Sequence, residues 1–341
     1  MSQPETNAQA AGPAANARVG KVRVAAIVGP TGAGKSRLAL RMAERIGGEI
    51  VNCDSRLFYR GLDIGTAKPT ADERRRLPHH LIDIRSPDSP LDVAVYGRLA
   101  RAAIREIAER GRPPIIVGGS GLYLRALLDG IFAGPAASPE LRARLRQTAA
   151  LEGSAALHGR LRELDPEAAN RIAPGDLKRI VRALEVFEVT GRPLSVHHAE
   201  HRLAEPSFEA LKLGLAPPRA VLYAAIERRF GAMLAAGLVE EVRRLLAVGP
   251  SSNAPVFDAI GYRQIAAFLR GELGLEDAIA LAKRESRRLA KRQLTWFRRD
   301  PAIRWLDPEG AEEEALPMLL MFFGARVPGQ AAGPQNSGVS L

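Results

Sequence analysis

The sequence predicts an α/β protein: a parallel sheet covered on both faces and interrupted by an all-helical insertion. Three observations carry that expectation. Short apolar runs alternate with segments of helical spacing through the first third of the chain. Strand signals vanish over residues 136–205, and amphipathic helices take their place. Strand and helix signals then return.

Taken in order, Val22–Val28 is a short apolar run ending in Gly and Pro, the pattern of a buried strand. Ser36–Ile46 sets Leu38, Leu40, Met42 and Ile46 at helical spacing. Glu49–Cys53 reads as a second strand ending at Asp54, and His80–Ile84 as a third. Val93–Arg110 is a helix stopped by Gly111 and Pro113. Ile115–Val117 is another buried strand, followed by Gly118-Gly119-Ser120-Gly121 and a helix from Leu122. In the insertion, Ser138-Pro139-Glu140 and Asp165-Pro166-Glu167 each pair a cap residue with Pro at the first helical position. Asp176–Val189 is a third helix, closed by Gly191. A strand returns at Ala210–Leu215, then long helices at Ala220–Ala247 and Leu275–Arg298, and a last strand at Ile303–Leu306. The expected organisation is a disordered tail over 1–20, a first core part over 21–135 and the insertion over 136–205. A second core part with basic C-terminal helices follows over 206–326, then a disordered tail over 327–341.

With 341 residues, 46% apolar and 26% charged, the chain has ordinary globular composition and enough length for a real core. Lys and Arg number 49 against 38 Asp and Glu, a net charge of +11. That excess fits a polyanionic partner, and equally an Ala- and Arg-rich proteome. One cysteine excludes an internal disulfide framework and favours a reducing compartment. Residues 1–20 lack the apolar centre of a secretory signal. The longest apolar run, from Leu316 to Gly324, is about half of the ~18 residues that a bilayer requires. A soluble cytoplasmic protein without membrane association is expected.

Gly29-Pro30-Thr31-Gly32-Ala33-Gly34-Lys35-Ser36 matches the phosphate-loop pattern G-x-x-x-x-G-K-[ST], between a strand and a helix as that loop requires. The glycines let backbone N–H groups turn toward phosphate oxygens, Lys35 adds a compact positive charge, and the Ser36 hydroxyl is a ligand for Mg2+. The pattern implies a bound di- or triphosphate and leaves open whether ATP is the substrate. Phosphoryl-transferring P-loop proteins also use an acidic residue at a second strand end to orient Mg2+. Here the strand Ile115–Val117 ends in Gly-Gly-Ser, and the first acid at a strand end is Asp54. Asp54 reads either as a helix cap or indirect Mg2+ ligand, or as a general base.

Further motifs follow in order. They are Asp54-Ser55, Tyr59-Arg60-Gly61-Leu62-Asp63-Ile64-Gly65-Thr66-Ala67-Lys68-Pro69, Pro78-His79-His80 and Val117-Gly118-Gly119-Ser120-Gly121-Leu122-Tyr123. Arg182-Ala183-Leu184-Glu185-Val186, Gly261-Tyr262-Arg263-Gln264 and Lys291-Arg292-Gln293-Leu294-Thr295-Trp296 complete the set. Together with the phosphate loop, these resemble the bacterial tRNA dimethylallyltransferases, also called tRNA isopentenyltransferases, from about Val22 to Leu306. The resemblance implies a P-loop NTPase-like core with a helical insertion. It implies transfer of a dimethylallyl group from dimethylallyl diphosphate to the exocyclic amine of adenosine 37, beside the tRNA anticodon. Asp54 is then the general base. Residues 29–36, with Mg2+ on Ser36, hold the diphosphate, and Arg229 stands on the same side. Two positions depart from the usual pattern. Leu57 stands where Gln is frequent and cannot hydrogen-bond a base edge, whereas Ser120 replaces Thr and keeps the hydroxyl. No protein partner is implied, and a monomer is expected.

The acceptor chemistry agrees with these roles. An adenine amine is a poor nucleophile, so a base must remove its proton as the C–N bond forms while the departing diphosphate is stabilised. A diphosphate donor also accounts for the missing strand-end Asp, since no phosphoryl group moves. Lys283 to Arg299 holds eight basic residues and one acidic one. Ala282, Leu289 and Trp296 recur every seven residues there, predicting an inward stripe with the basic residues outside. Lys178, Arg179 and Arg182 form a second cluster, and Arg142 and Arg144 a third. Asp258–Gln264 is a loop-to-helix element that resembles a tRNA contact of the family. The resemblance, together with these basic clusters, implies candidate tRNA contacts at Asp54, Ser55, Arg56, Leu57, Ser120, Arg142, Lys178, Arg179, Arg182, Asp258, Gly261, Tyr262, Arg263, Gln264, Arg287, Arg288, Lys291, Arg292 and Gln293. His197 and His201 have the i, i+4 spacing of a zinc pair, beside His198, with no Cys or second His cluster nearby. Cys53 reads as a small buried strand residue. Two other readings stand beside the prenyl transferase. One is a small-molecule kinase using Asp54 on a hydroxyl, which the missing strand-end Asp and the basic helix oppose. The other is a non-catalytic RNA-binding nucleotide switch, which Asp54 beside an intact Lys35 opposes.

Overall fold

The computed structural model describes residues 21–132, 134–135, 138–202, 208–248 and 254–324. The two expected tails, 1–20 and 327–341, lie outside the described residues. The chain runs β1 (Val22–Val28), α1 (Lys35–Ile46), β2 (Glu49–Asn52), α2 (Ala71–Arg76), β3 (His79–His80), α3 (Val93–Glu109), β4 (Pro114–Gly118) and α4 (Gly121–Leu128). Five helices follow: α5 (Pro139–Glu152), α6 (Ser154–Leu164), α7 (Pro166–Arg171), α8 (Leu177–Thr190) and α9 (Leu194–Arg202). Then come β5 (Phe208–Leu215), α10 (Arg219–Ala235), α11 (Leu238–Val248), a 3-10 turn (Pro255–Asp258), α12 (Tyr262–Leu269), α13 (Leu275–Phe297), β6 (Ile303–Leu306) and α14 (Ala311–Phe323).

The six strands form one sheet in the order β3-β2-β4-β1-β5-β6, with every pairing parallel. A parallel sheet must be buried on both faces, and β1 shows the alternation directly. Ala25 and Ile27 pack with α1 and α14 residues such as Met42 and Leu319. Val24, Ala26 and Val28 pack toward α3 and α4, against Tyr96, Ile104 and Leu127. A third apolar cluster joins α10, α11 and α12 to Tyr59 and Leu62. The five helices between α4 and β5 have their own apolar cluster, built on Leu145, Leu157, Leu161, Ile180 and Leu184. Asp165 ties it together. One carboxylate oxygen caps α7 at Ala168 N–H, 3.0 Å away, and the other accepts from Ser195 N–H at 2.9 Å.

Several expectations need correction. The third strand covers only His79–His80, because Leu81 and Asp83 take positive φ angles of 61° and 59° and turn the chain out of the ladder. The long helix expected at 220–247 is two helices. Gly237, at φ 98°, breaks it between α10 and α11. Helices α2, α6, α9 and α14 add to the expected elements. Of these, α2 carries a legible signal, a Thr70–Glu73 capping box.

Candidate active site

Three loops meet at the carboxyl ends of adjacent strands, where open parallel sheets bind ligands. The phosphate loop follows β1, Asp54 follows β2, and Gly119-Ser120 follows β4. The phosphate loop leaves β1 through Gly29 at φ 141°, where a Cβ would stand 2.4 Å from the Leu215 carbonyl oxygen, so only glycine fits. Helix α1 then begins at Lys35 with no side chain capping it, leaving its first N–H groups for an anion.

Lys35 Nζ donates to the Pro30 carbonyl at 2.7 Å, which turns the ammonium back into the loop. Burial pushes its pKa down to about 8, against the pull of Asp54 and with the help of Arg229. Arg229 on α10 reaches the loop from the other side. Its Nη1 donates to Thr31 Oγ1 and its Nη2 to the Thr66 carbonyl, each at 3.1 Å. Burial lowers its pKa too, and Asp54 partly offsets that. Asp54 is half-buried. Its N–H donates to Asn52 Oδ1 at 2.8 Å, and its Oδ1 accepts from Arg56 N–H at 2.9 Å. Ser55 N–H donates to Ser120 Oγ at 3.4 Å, linking the ends of β2 and β4. Next to Asp54, burial pushes the Cys53 thiol up to about 12, so it stays protonated and is no nucleophile.

A pocket of about 320 Å³ opens beside these groups. Thr31, Asp54, Ser55, Arg56, Thr66, Ser120, Arg229, Asp258, Arg263, Glu285, Ser286, Arg292 and Gln293 contribute polar or charged side chains. Ile226, Phe230, Met233, Ile260 and Leu289 supply an apolar wall. Thr31 of the phosphate loop, the Arg229 guanidinium, the carboxylates of Asp54, Asp258 and Glu285 and an apolar wall thus share one small space.

The IPP transferase family model matches residues 57–300. The chain belongs to that family. It is 48% identical over 304 residues to the tRNA dimethylallyltransferase of Geobacter sulfurreducens, covering 89% of this chain and 98% of that one. It is 50% identical over 301 residues to the tRNA dimethylallyltransferase of Moorella thermoacetica, covering 86% and 93%. The fold is similar to that of the full-length tRNA isopentenylpyrophosphate transferase from Bacillus halodurans, with TM-score 0.66, 38% identity and coverage of 89% and 97%. It is also similar to a eukaryotic dimethylallyltransferase acting on tRNA, with TM-score 0.77, 26% identity and coverage of 90% and 81%.

In this IPP transferase family member the candidate RNA residues separate into three groups. The first is engaged inside the fold. Tyr262 and Gln264 are buried, at 0% and 1% exposure, and cannot meet RNA from there. The Tyr262 hydroxyl donates to the buried Glu241 and accepts from Gly65 N–H at 3.1 Å. Glu241 also accepts from the N–H groups of Asp63 at 3.1 Å and Ile64 at 2.8 Å, so it pins the stretch that presents the Thr66 carbonyl to Arg229. Gln264 Oε1 accepts from the N–H of buried Gly261 at 2.8 Å. Gln293 spends both ends of its amide on the protein, accepting from Thr31 N–H at 2.8 Å and donating to the Gly119 carbonyl at 2.9 Å. Leu57 is half-buried, outside the pocket, and its carbonyl accepts from Asp83 N–H at 3.2 Å.

The second group is neutralised. Arg142 grips the buried Glu185 with bonds of 2.8 and 2.9 Å, and Arg182 reaches the same carboxylate at 2.7 Å. Burial alone would raise the Glu185 pKa, but the two guanidiniums outweigh it and hold it below the usual range. Arg179 pairs with Asp176, Arg287 with Glu227 and Arg288 with Glu285. The third group, Lys178, Arg263, Lys291 and Arg292, is exposed and without an acidic partner among the described residues.

The inward stripe of α13 also needs correction. Its buried positions are Ala278, Ala282, Ala290 and Phe297, whereas Trp296 is 39% exposed. Trp296 lies against Gly121 and lines a groove of about 1360 Å³ between the core and the inserted helices, with Arg98, Arg125, Arg142, Arg179, Arg182 and Arg299. No sequence signal marked this groove, because its walls come from segments far apart in the chain. His197 stacks on Phe132 at 4.2 Å and meets Thr190 Oγ1 at 3.2 Å, while the side chain of His201 lies outside the described residues. No group of three or more His, Cys, Asp or Glu among the described residues is placed to hold a metal. No helix among them is long and apolar enough to cross a membrane.

Proposed function

We propose that this chain transfers the dimethylallyl group of dimethylallyl diphosphate to the exocyclic amine of adenosine 37 in tRNA. The products are N6-dimethylallyladenosine and diphosphate. The observation that carries this reading is the shared pocket, lined by Asp54, Arg229, Thr31 of the phosphate loop and an apolar wall, with Lys35 and Arg229 both in the field of Asp54. The loop N–H groups, Lys35 and Arg229 bind the diphosphate and take up its growing charge as the C–O bond breaks. Ile226, Phe230, Met233 and Leu289 enclose the five-carbon chain and keep water from the allylic carbon while it is electron-poor. Asp54 accepts the amine proton as the C–N bond forms. Arg56 N–H fixes one Asp54 oxygen, which orients the carboxylate for that transfer. The exposed Ser36 hydroxyl at the start of α1, together with diphosphate oxygens, is a hard-oxygen donor set that fits Mg2+. When bound there, the ion would neutralise part of the leaving-group charge.

To reach Asp54 the adenine must leave its stack. Lys291, Arg292 and Arg263 would hold phosphates on the core side, and Lys178 would do so on the insertion side. In this reading 21–135 and 206–326 carry the chemistry, and 136–205 forms the second wall for the RNA. The enzyme acts as a monomer in the cytoplasm. The test is Asp54→Ala. Turnover should fall by ~10²–10⁴ while tRNA affinity stays nearly unchanged, because a general base acts in the transition state. Normal single-turnover chemistry with lost tRNA binding would overturn the assignment.

A further inference from the structure

We infer that Gln293 is a positioning residue that sets the gap between the donor loop and the acceptor-side loop, and that it does not read RNA. The inference rests on the donor reading of the phosphate loop. The side chain leaves α13 and enters the pocket between the two loops. Its Oε1 accepts from Thr31 N–H at 2.8 Å and its Nε2 donates to the Gly119 carbonyl at 2.9 Å. An amide is the group that accepts at one end and donates at the other, and here each end meets its complement. Both loops continue directly into the chemistry. Thr31 Oγ1 accepts from Arg229, and Ser120, next to Gly119, accepts from Ser55 beside Asp54. A continuous path of hydrogen bonds and adjacent residues therefore runs from the diphosphate side to the base side, and Gln293 ties it to α13.

The fit has no slack. A Cβ on Gly119 would lie 2.4 Å from Gln293 Nε2, so the glycine is what lets the amide approach. Lys291 and Arg292, the cations next to Gln293, are on the exposed side of the same helical turn. RNA docked on that turn thus acts on the helix that holds both loops. The geometry required for attack is narrow, and a displacement of about 1 Å costs on the order of 10²-fold in rate.

The experiment compares Gln293→Met, which keeps the volume and removes both hydrogen bonds, with Gly119→Ala, which displaces the same amide from the opposite side. For each, kcat and the KM for dimethylallyl diphosphate are measured with tRNA saturating, and tRNA affinity is measured across a salt series. Both variants should lower kcat/KM for the donor by about 10- to 100-fold, with part of the loss in KM. tRNA affinity and its salt slope should stay within about twofold of wild type. If Gln293→Met fails to fold, Gln293→Asn, polar but too short to span the two loops, should give the same pattern. A loss of tRNA affinity with donor constants unchanged would show that Gln293 reads RNA. A fall in kcat that vanishes when rates are normalised to the folded fraction of each variant would mean only fewer active molecules, and it also overturns the inference, as would wild-type kinetics in both variants. Wild-type transfer in the same assay separates these outcomes from failure of the donor reading itself.

Discussion

On the inserted helices, Arg182 of α8 and Arg142 of α5 converge on Glu185, a carboxylate with 0% exposure. On the outward face of α13, Lys291 and Arg292 meet no acidic side chain among the described residues. Both faces look equally basic as strings of letters. The difference teaches that a buried carboxylate converts nearby arginines into structural groups, whereas an exposed, unpaired cation remains available to a phosphate. The pocket obeys the same rule in reverse. Lys35 and Arg229 are held close to each other with Asp54 as their nearby counter-charge, so an arriving diphosphate finds positive charge already in place.

The largest effect expected from this contrast is on stability. Glu185→Gln leaves two partly buried guanidiniums without their counter-charge and should cost about 3–5 kcal/mol in denaturant unfolding. A loss under about 1 kcal/mol would break the comparison. The pH sign is fixed by the lowered Glu185 pKa. Its stabilisation is present above the ordinary value of 4.5 and is lost as pH falls through the lower folded value. Glu185→Gln should therefore unfold with less acid dependence than wild type in that range.

Next in size is the pocket. Lys35→Ala should lower kcat/KM for the donor by ~10²–10³, through both a higher KM and a lower kcat, because the ammonium meets the diphosphate before and during departure. Equilibrium tRNA binding should not change, and a parallel fall in both would merge two regions that the structure keeps apart.

The RNA faces give the third test. Removing Lys291 and Arg292 together should flatten the salt dependence of tRNA affinity by roughly 0.7–0.9 units of slope for each phosphate that is no longer neutralised. Arg160→Ala should leave the slope as in wild type, since Arg160 is committed to Glu188 at 2.7 Å. Equal slopes for wild type and the α13 variant would put the RNA elsewhere.

The smallest effect is a pH profile. With Lys35 titrating at about 8, kcat/KM for the donor should fall as pH rises above that value, since the neutral amine no longer attracts the diphosphate. The fall should approach about tenfold per pH unit, and Lys35→Arg, charged throughout, should flatten it. A profile in the variant identical to that of wild type would assign the titration to another group.

Local constraints were the legible ones. The phosphate loop is readable because only glycines permit its backbone, and the Ser138 and Asp165 caps because each acts within a few residues. What stayed hidden depends on partners far away in the chain. Gln293 and Thr31 are 262 residues apart, and Glu241 meets Ile64 across 177. Nothing near Tyr262 or Gln264 announces that their polar ends face inward. Spacing misleads at two places for a physical reason. A seven-residue repeat follows one stripe of a helix without saying how deeply each position is covered, so Ala282 is buried while Trp296, against Gly121 at the groove, stays 39% exposed. The apolar Leu81, Ile82 and Ile84 resemble part of a strand, but left-handed Leu81 and Asp83 end the pairing.

The central claim is that a prenyl group, and no phosphoryl group, moves to an RNA amine. The direct measurement is label transfer by the wild-type chain with Mg2+ and tRNA. Dimethylallyl diphosphate labelled in its carbon chain is compared with ATP labelled in its terminal phosphate, each with tRNA carrying adenosine or guanosine at position 37. The account predicts prenyl label in the adenosine tRNA alone, with one diphosphate released for each label incorporated, and no label from ATP. Phosphate label in an acceptor, or equal prenylation of the guanosine tRNA, would contradict it.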